Sequence, residues 1–127
     1  MLYLQCFALT SLAVAALVFG GGPSAQTTDP RVVEVTARRF AFEPAEIEAR
    51  VGERLQLVVR SADGVHGLEI KKLKIKKEVP RGGEAVTIDF TPTTEGRFPI
   101  LCSEYCGNRH NEMTGTLIVR AVESATR

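Results

Sequence analysis

Apolar and polar residues alternate strictly through Val86, Thr87, Ile88, Asp89 and Phe90, which puts Val86, Ile88 and Phe90 on one face and Thr87 and Asp89 on the other. A period of two marks a half-buried β-strand. Short apolar runs bounded by Gly, Pro and Asp recur along the chain and predict strands over residues 32–36, 47–51, 55–60, 66–70, 73–79, 86–90, 98–102 and 114–122. Turn-forming pairs such as Asp63-Gly64, Gly82-Gly83 and Glu95-Gly96 separate several of them. Past the N-terminal segment no stretch keeps a helical period for three turns, and there is no internal repeat or low-complexity tract. Strands this short, punctuated this often, predict an all-β fold, a Greek-key β-sandwich or small barrel.

Residues 2–22 follow another pattern: only Gln5, Thr10 and Ser11 are polar, and the first charged residue of the chain is Asp29. A hydrocarbon core is spanned by about 20 predominantly apolar residues, so this run is long enough for an anchor. The Gly20-Gly21-Gly22-Pro23-Ser24-Ala25 stretch that follows equally suits a signal-peptide cleavage region. The chain thus divides into residues 1–28, a signal peptide or membrane anchor with a short linker, and residues 29–127, one domain. Either form of leader exports the domain, to the periplasm or the outer face of the cytoplasmic membrane.

All 16 Lys+Arg and all 15 Asp+Glu lie in that domain, for a net charge of +1. So even a balance argues against a nucleic-acid binder, whose balance is usually strongly basic. Three Cys exclude a disulfide-dense mini-protein. One domain of this size has no interdomain catalytic cleft, and no nucleophile elbow, phosphate loop or His-Glu-x-x-His signature occurs in it.

Chemistry concentrates in one segment, Cys102-Ser103-Glu104-Tyr105-Cys106-Gly107-Asn108-Arg109-His110-Asn111-Glu112-Met113. It follows one predicted strand and precedes another, so it forms a loop that two strands hold in place. Two thiols, an imidazole and a thioether are the donors that soft and borderline metals select. The other histidine, His66, follows the Asp63-Gly64 turn at the start of a strand, and in a Greek-key sandwich the loops at one end cluster, so it can meet this loop. Zinc seldom takes a thioether, whereas copper takes thiolate, imidazole and a weak axial Met together.

The loop resembles the metal-binding loop of the copper-A domain of cytochrome c oxidase subunit II, a cupredoxin fold. Asp63-Gly64-Val65-His66-Gly67 is similar to the upstream histidine segment of that family, and Phe40-Ala41-Phe42-Glu43-Pro44-Ala45-Glu46-Ile47 and Val79-Pro80-Arg81-Gly82 fit its opening and middle strands. The likeness spans roughly residues 32–120. It implies a dinuclear copper site bridged by the thiolates of Cys102 and Cys106, with His66 and His110 capping one copper each. Met113 would be a weak ligand to one copper and the main-chain carbonyl of Glu104 a weak ligand to the other. It also implies one-electron transfer as subunit II of a haem-copper terminal oxidase, from a c-type cytochrome or another cupredoxin to a catalytic subunit encoded elsewhere. Alone, the chain would be an electron carrier.

Three features depart from that family: the chain has no Trp, through which many of its members admit electrons, it offers at most one membrane segment instead of two, and five Lys crowd residues 71–77, where a typical member's donor-facing surface is acidic. Those lysines protect an exposed edge strand from pairing or form a docking surface for an acidic partner or anionic lipid. Asp63 is either a turn former or the acceptor that orients a histidine ring. Cys102 and Cys106 also allow a plain disulfide, which His110 and Met113 would leave unexplained. The alternative function is a periplasmic copper carrier or chaperone that binds Cu(I) through Cys102, Cys106 and His110, although such carriers use a thioredoxin-like α/β fold that these strands do not match.

Overall fold

Alternation in the sequence becomes alternation in burial. In the computed structural model, which describes residues 29–123, Leu55, Leu57, Val59 and Ser61 of one strand turn inward while the residues between them stay half-buried or exposed. The described residues form nine strands: β1 (Arg31–Arg38), β2 (Ala41–Glu43), β3 (Glu46–Arg50), β4 (Leu55–Ser61), β5 (His66–Ile70), β6 (Ile75–Val79), β7 (Val86–Phe90), β8 (Gly96–Leu101) and β9 (Thr114–Arg120). They build a four-stranded sheet in the order β2-β1-β4-β7 and a five-stranded sheet in the order β3-β9-β8-β5-β6. The result is the all-β cupredoxin-like sandwich that the pattern predicts. The N-terminal hydrophobic segment lies outside the described residues.

Two pairings run parallel, β1 with β4 and β3 with β9, and the remainder run antiparallel. Parallel neighbours must come from opposite ends of a crossover, so these pairings draw strands from distant parts of the chain together. Phe42, Leu57, Leu68, Ile70, Ile100 and Leu117 fill the space between the sheets, each at most 1% exposed. Burying a side chain of this size contributes about 1.5–3 kcal/mol.

Strand ends shift by one or two residues in several places, and three differences from the pattern have a physical reason. The strand predicted from residue 73 starts only at Ile75, because Lys71–Leu73 forms a 3₁₀ turn whose C-cap, Lys74, adopts φ 55° and ψ 33°. That left-handed residue sends its N–H back to the Lys71 carbonyl at 3.0 Å and interrupts the extended backbone. β2, too short to announce itself by alternation, pairs antiparallel with β1 across the Arg39-Phe40 turn. β8 ends at Leu101, which leaves Cys102 as the first residue of the loop rather than the last of the strand.

The ends of β1, β4 and β8 and the starts of β5 and β9 meet at one pole of the sandwich. The parallel register of β1 on β4 carries Arg39 to the level of the turn after Ser61, and the Ala62 N–H bonds the Ala37 carbonyl at 2.9 Å. That pole holds the chemistry.

Candidate metal centre

His66 opens β5 with no exposed surface, and its ring is fixed from outside: Nε2 lies 2.5 Å from Asp63 Oδ1. Asp63 is held in turn, accepting the Gly64 N–H at 2.6 Å and the Arg39 N–H at 2.9 Å. Burial pushes the Asp63 carboxyl up, but the hydrogen bonds from Arg39, His66 and Gly64 together outweigh it and hold the group at about 2. Asp63 is therefore both turn former and ring acceptor. With Nε2 engaged, Nδ1 is left facing the loop, 4.0 Å from Cys102 Sγ.

The loop brings the other donors to the same point. Cys102 and Cys106 are free thiols, 7% and 5% exposed, with their sulfurs 3.8 Å apart. A disulfide bond spans about 2.0 Å, so they stand as two separate donors. His66, Cys102 and Cys106 place one ligating atom each within 4.8 Å of one another. His110 begins a 3₁₀ turn, His110–Glu112, with Nδ1 3.8 Å from Cys106 Sγ. Met113 is 1% exposed, and its Sδ also lies 3.8 Å from Cys106 Sγ. The Glu104 main-chain oxygen is 3.2 Å from Cys102 Sγ. Every residue singled out by the loop pattern is thus brought to this pole, and the donors fall into two halves. Cys102 gathers His66 and the Glu104 carbonyl; Cys106 gathers His110 and Met113.

Burial pushes the Cys106 thiol up to about 11, and the neighbouring Cys102 adds to the rise while the Arg39 charge opposes it. A metal that binds here must displace protons. The donor chemistry fits copper: buried thiols, imidazole nitrogens and a thioether gathered around one point.

Two residues that shape the site, Arg39 and Gly67, carry no signal of their own in the sequence, whereas Gly107 reads there as the residue that lets the loop turn sharply. Arg39 donates its Nε hydrogen to the Cys106 carbonyl at 2.6 Å and so ties the loop to the β1–β2 turn. Gly67 leaves room for the loop, since a Cβ there would lie 2.1 Å from Ser103 Oγ and 2.9 Å from the Glu104 nitrogen. Gly107, at φ +141°, lies against Phe40, whose ring atoms would be 2.9–3.0 Å from a Cβ. Arg109 covers the outer side of the Phe40 ring at 5.7 Å and bonds Glu112 at 2.7 and 2.9 Å.

The profile of the cupredoxin-like domain family matches residues 9–119. The chain is 33% identical over 106 residues to a cytochrome c oxidase subunit 2 of Thermus thermophilus, covering 84% of this chain and 74% of the relative. A second Thermus thermophilus subunit 2 is also 33% identical over 106 residues, and the matched region spans 60% of its length. Among solved structures, the periplasmic domain of subunit II of a Bradyrhizobium japonicum cytochrome oxidase superposes with a TM-score of 0.64 at 17% identity, over 71% of this chain and 83% of that one. At that identity the superposition speaks for the fold, which is the same sandwich. Family profile, sequence relatives and fold agree, and the chain belongs to the cupredoxin-like domain family, among the subunits 2 of cytochrome c oxidase.

Proposed function

We propose that the chain holds a dinuclear copper centre and relays single electrons as subunit II of a haem-copper terminal oxidase. The observation that carries this reading is the division of donors, a histidine and a weaker donor beside each of two thiols 3.8 Å apart. A mononuclear blue-copper site needs one thiolate and would leave the second buried without a role. The Cys102 and Cys106 thiolates, the His66 and His110 rings, the Met113 thioether and the Glu104 main-chain carbonyl would hold the two coppers. Bound there, the pair of coppers would exchange one electron.

The chain's own residues do the rest. The Asp63 carboxylate accepts the Nε2 proton of His66 and thereby presents Nδ1 inward as the free nitrogen. Arg39 fixes the Cys106 main chain. Cys102, Cys106 and Met113 are each at most 7% exposed, which limits the water that reaches the sulfurs. A donor set held on both sides by strands moves little when its charge changes, and small rearrangement favours fast electron transfer. The relatives' names support a catalytic oxidase subunit as partner and a location on the outer side of the cytoplasmic membrane. The electron donor would be a c-type cytochrome or another small redox protein, and residues 1–28 would supply the signal or anchor.

The test is to load the reduced chain with copper and record metal content, optical absorption and electron paramagnetic resonance. Two coppers per chain, with hyperfine structure from one electron shared by two nuclei, is the expected result. One Cu(I) per chain and no colour would replace the reading with copper carriage through Cys102, Cys106 and His110. His66→Ala discriminates further: it abolishes the shared-electron signal, whereas a carrier that uses only the loop would keep its Cu(I).

A further inference from the structure

Among the described residues, Arg31, Arg38, Arg97, Arg109 and Arg120 each face a glutamate in an ion pair. The five exposed lysines from Lys71 to Lys77 form none, even though Glu69 sits opposite Lys76 in the β5–β6 register. In a domain of net charge +1, five uncompensated cations within seven residues are a local feature, not a general basicity. β6 is the edge of its sheet, and charge along an edge strand discourages pairing with another chain. That accounts for Lys76 and Lys77 but not for Lys71 and Lys72, which precede the strand. Lys71 and Lys76, with Glu69 beside them, line a cleft of about 390 Å³ whose other walls include Cys102, His110, Asn111 and Met113. At the same pole Tyr105 is 74% exposed, with its ring centroid 6.0 Å from that of His110.

We propose that this lysine-bordered cleft is the docking surface for an acidic redox protein. The inference rests on the electron-relay reading above and adds the chemistry of the partner. Free cations around a cleft next to the donor set steer an acidic protein toward His110 and Met113, and Tyr105 offers the exposed aromatic contact that interfaces favour. A membrane surface would also be drawn to lysines, but it has no use for a cleft that leads to buried sulfurs.

The test compares the full chain in detergent with Lys71→Glu/Lys76→Glu and, as an equal charge change at the opposite end of the strands, Arg97→Glu/Arg120→Glu. The probes are a strongly acidic c-type cytochrome, a strongly basic one, and vesicles of phosphatidylcholine with and without phosphatidylglycerol. Affinity is measured on the copper-free chain at low and high salt. The one-electron oxidation of each cytochrome is then followed with the copper-loaded chain as acceptor. The acidic cytochrome should bind at least about tenfold more weakly to the lysine variant than to the parent, and the gap should close at high salt. The arginine variant should match the parent within about twofold, and the basic cytochrome should move the opposite way. Equal binding of the acidic cytochrome to parent and lysine variant overturns the proposal. So does loss of phosphatidylglycerol vesicle binding with cytochrome binding unchanged, which would reassign the lysines to the membrane. Binding to the copper-free chain reports docking even where no two-copper signal develops, so failure of the docking surface and failure of the electron-relay reading remain separate.

Discussion

Gly67 lacks a side chain because the metal loop occupies the space where one would be. A methyl there meets Ser103 Oγ at 2.1 Å and the Glu104 nitrogen at 2.9 Å, and the loop main chain can yield only by shifting Cys102. Gly67→Ala should lower the denaturant midpoint by the equivalent of about 1–3 kcal/mol and reduce copper uptake. Gly52 is the contrast: at φ +81° with nothing within 4 Å, its change to Ala carries only the left-handed backbone cost of about 1–2 kcal/mol and should leave copper uptake intact. Equal loss of copper in both variants would show that general destabilisation, not loop position, is responsible. Asp63 acts at the same scale through His66 Nε2. Asp63→Asn keeps the turn but removes the carboxylate acceptor, and copper affinity, measured by competition with a chelator, should fall about 10- to 100-fold. The Cys, His and Met side chains that meet at this pole were legible as candidates, those of the loop from their spacing and His66 from its turn. Gly67 and Arg39 were not, because what each does is set by a neighbour remote in sequence, Ser103 and Cys106; Gly107 was legible as a turn residue, but not its packing against Phe40.

β5 and β7 occupy the residues that the pattern predicts, His66–Ile70 and Val86–Phe90. β7 shows its period because only one face is covered. β5 is buried at every position except Glu69, which is half-buried, since the metal loop covers part of its outer face. At the β5–β6 corner the pattern gave too long a strand, because Leu73 and Ile75 look alike as apolar residues while Lys74 between them is left-handed. Lys74→Gly removes a side chain that this conformation disfavours, so it should raise stability by up to about 1 kcal/mol in urea unfolding and leave the copper spectrum unchanged. A loss of stability would mean that the Lys74 side chain contributes contacts worth more than its backbone cost.

For the molecule as a whole, acid should weaken the fold, and at the end away from the metal Glu53 carries part of that loss. Glu53 is held below its ordinary 4.5 by the hydrogen bond from the Arg31 side chain, joined by the Arg50 N–H, against a smaller opposing push from burial. A carboxyl whose folded value is depressed binds fewer protons folded than unfolded, so its contribution is complete above about 4.5 and is lost as pH falls through the depressed value. Glu53→Gln should therefore flatten the rise of melting temperature with pH below about 5, with little change near neutrality. An unchanged acid slope would assign it to other carboxylates.

By itself the sequence determined the candidate donors and the class of fold. Thiols, imidazoles and a thioether are chemical identities, present before folding, and a period of two commits a segment to a strand whatever it later pairs with. Only the tertiary structure decided that His66, 36 residues before Cys102, stands with its Nδ1 4.0 Å from that sulfur, and that the donors divide evenly between the two thiols. It also decided that Lys71 and Lys76 border the same cleft as His110. Those relations depend on parallel pairings and sheet order, which bring distant segments to one pole through contacts that no local pattern records.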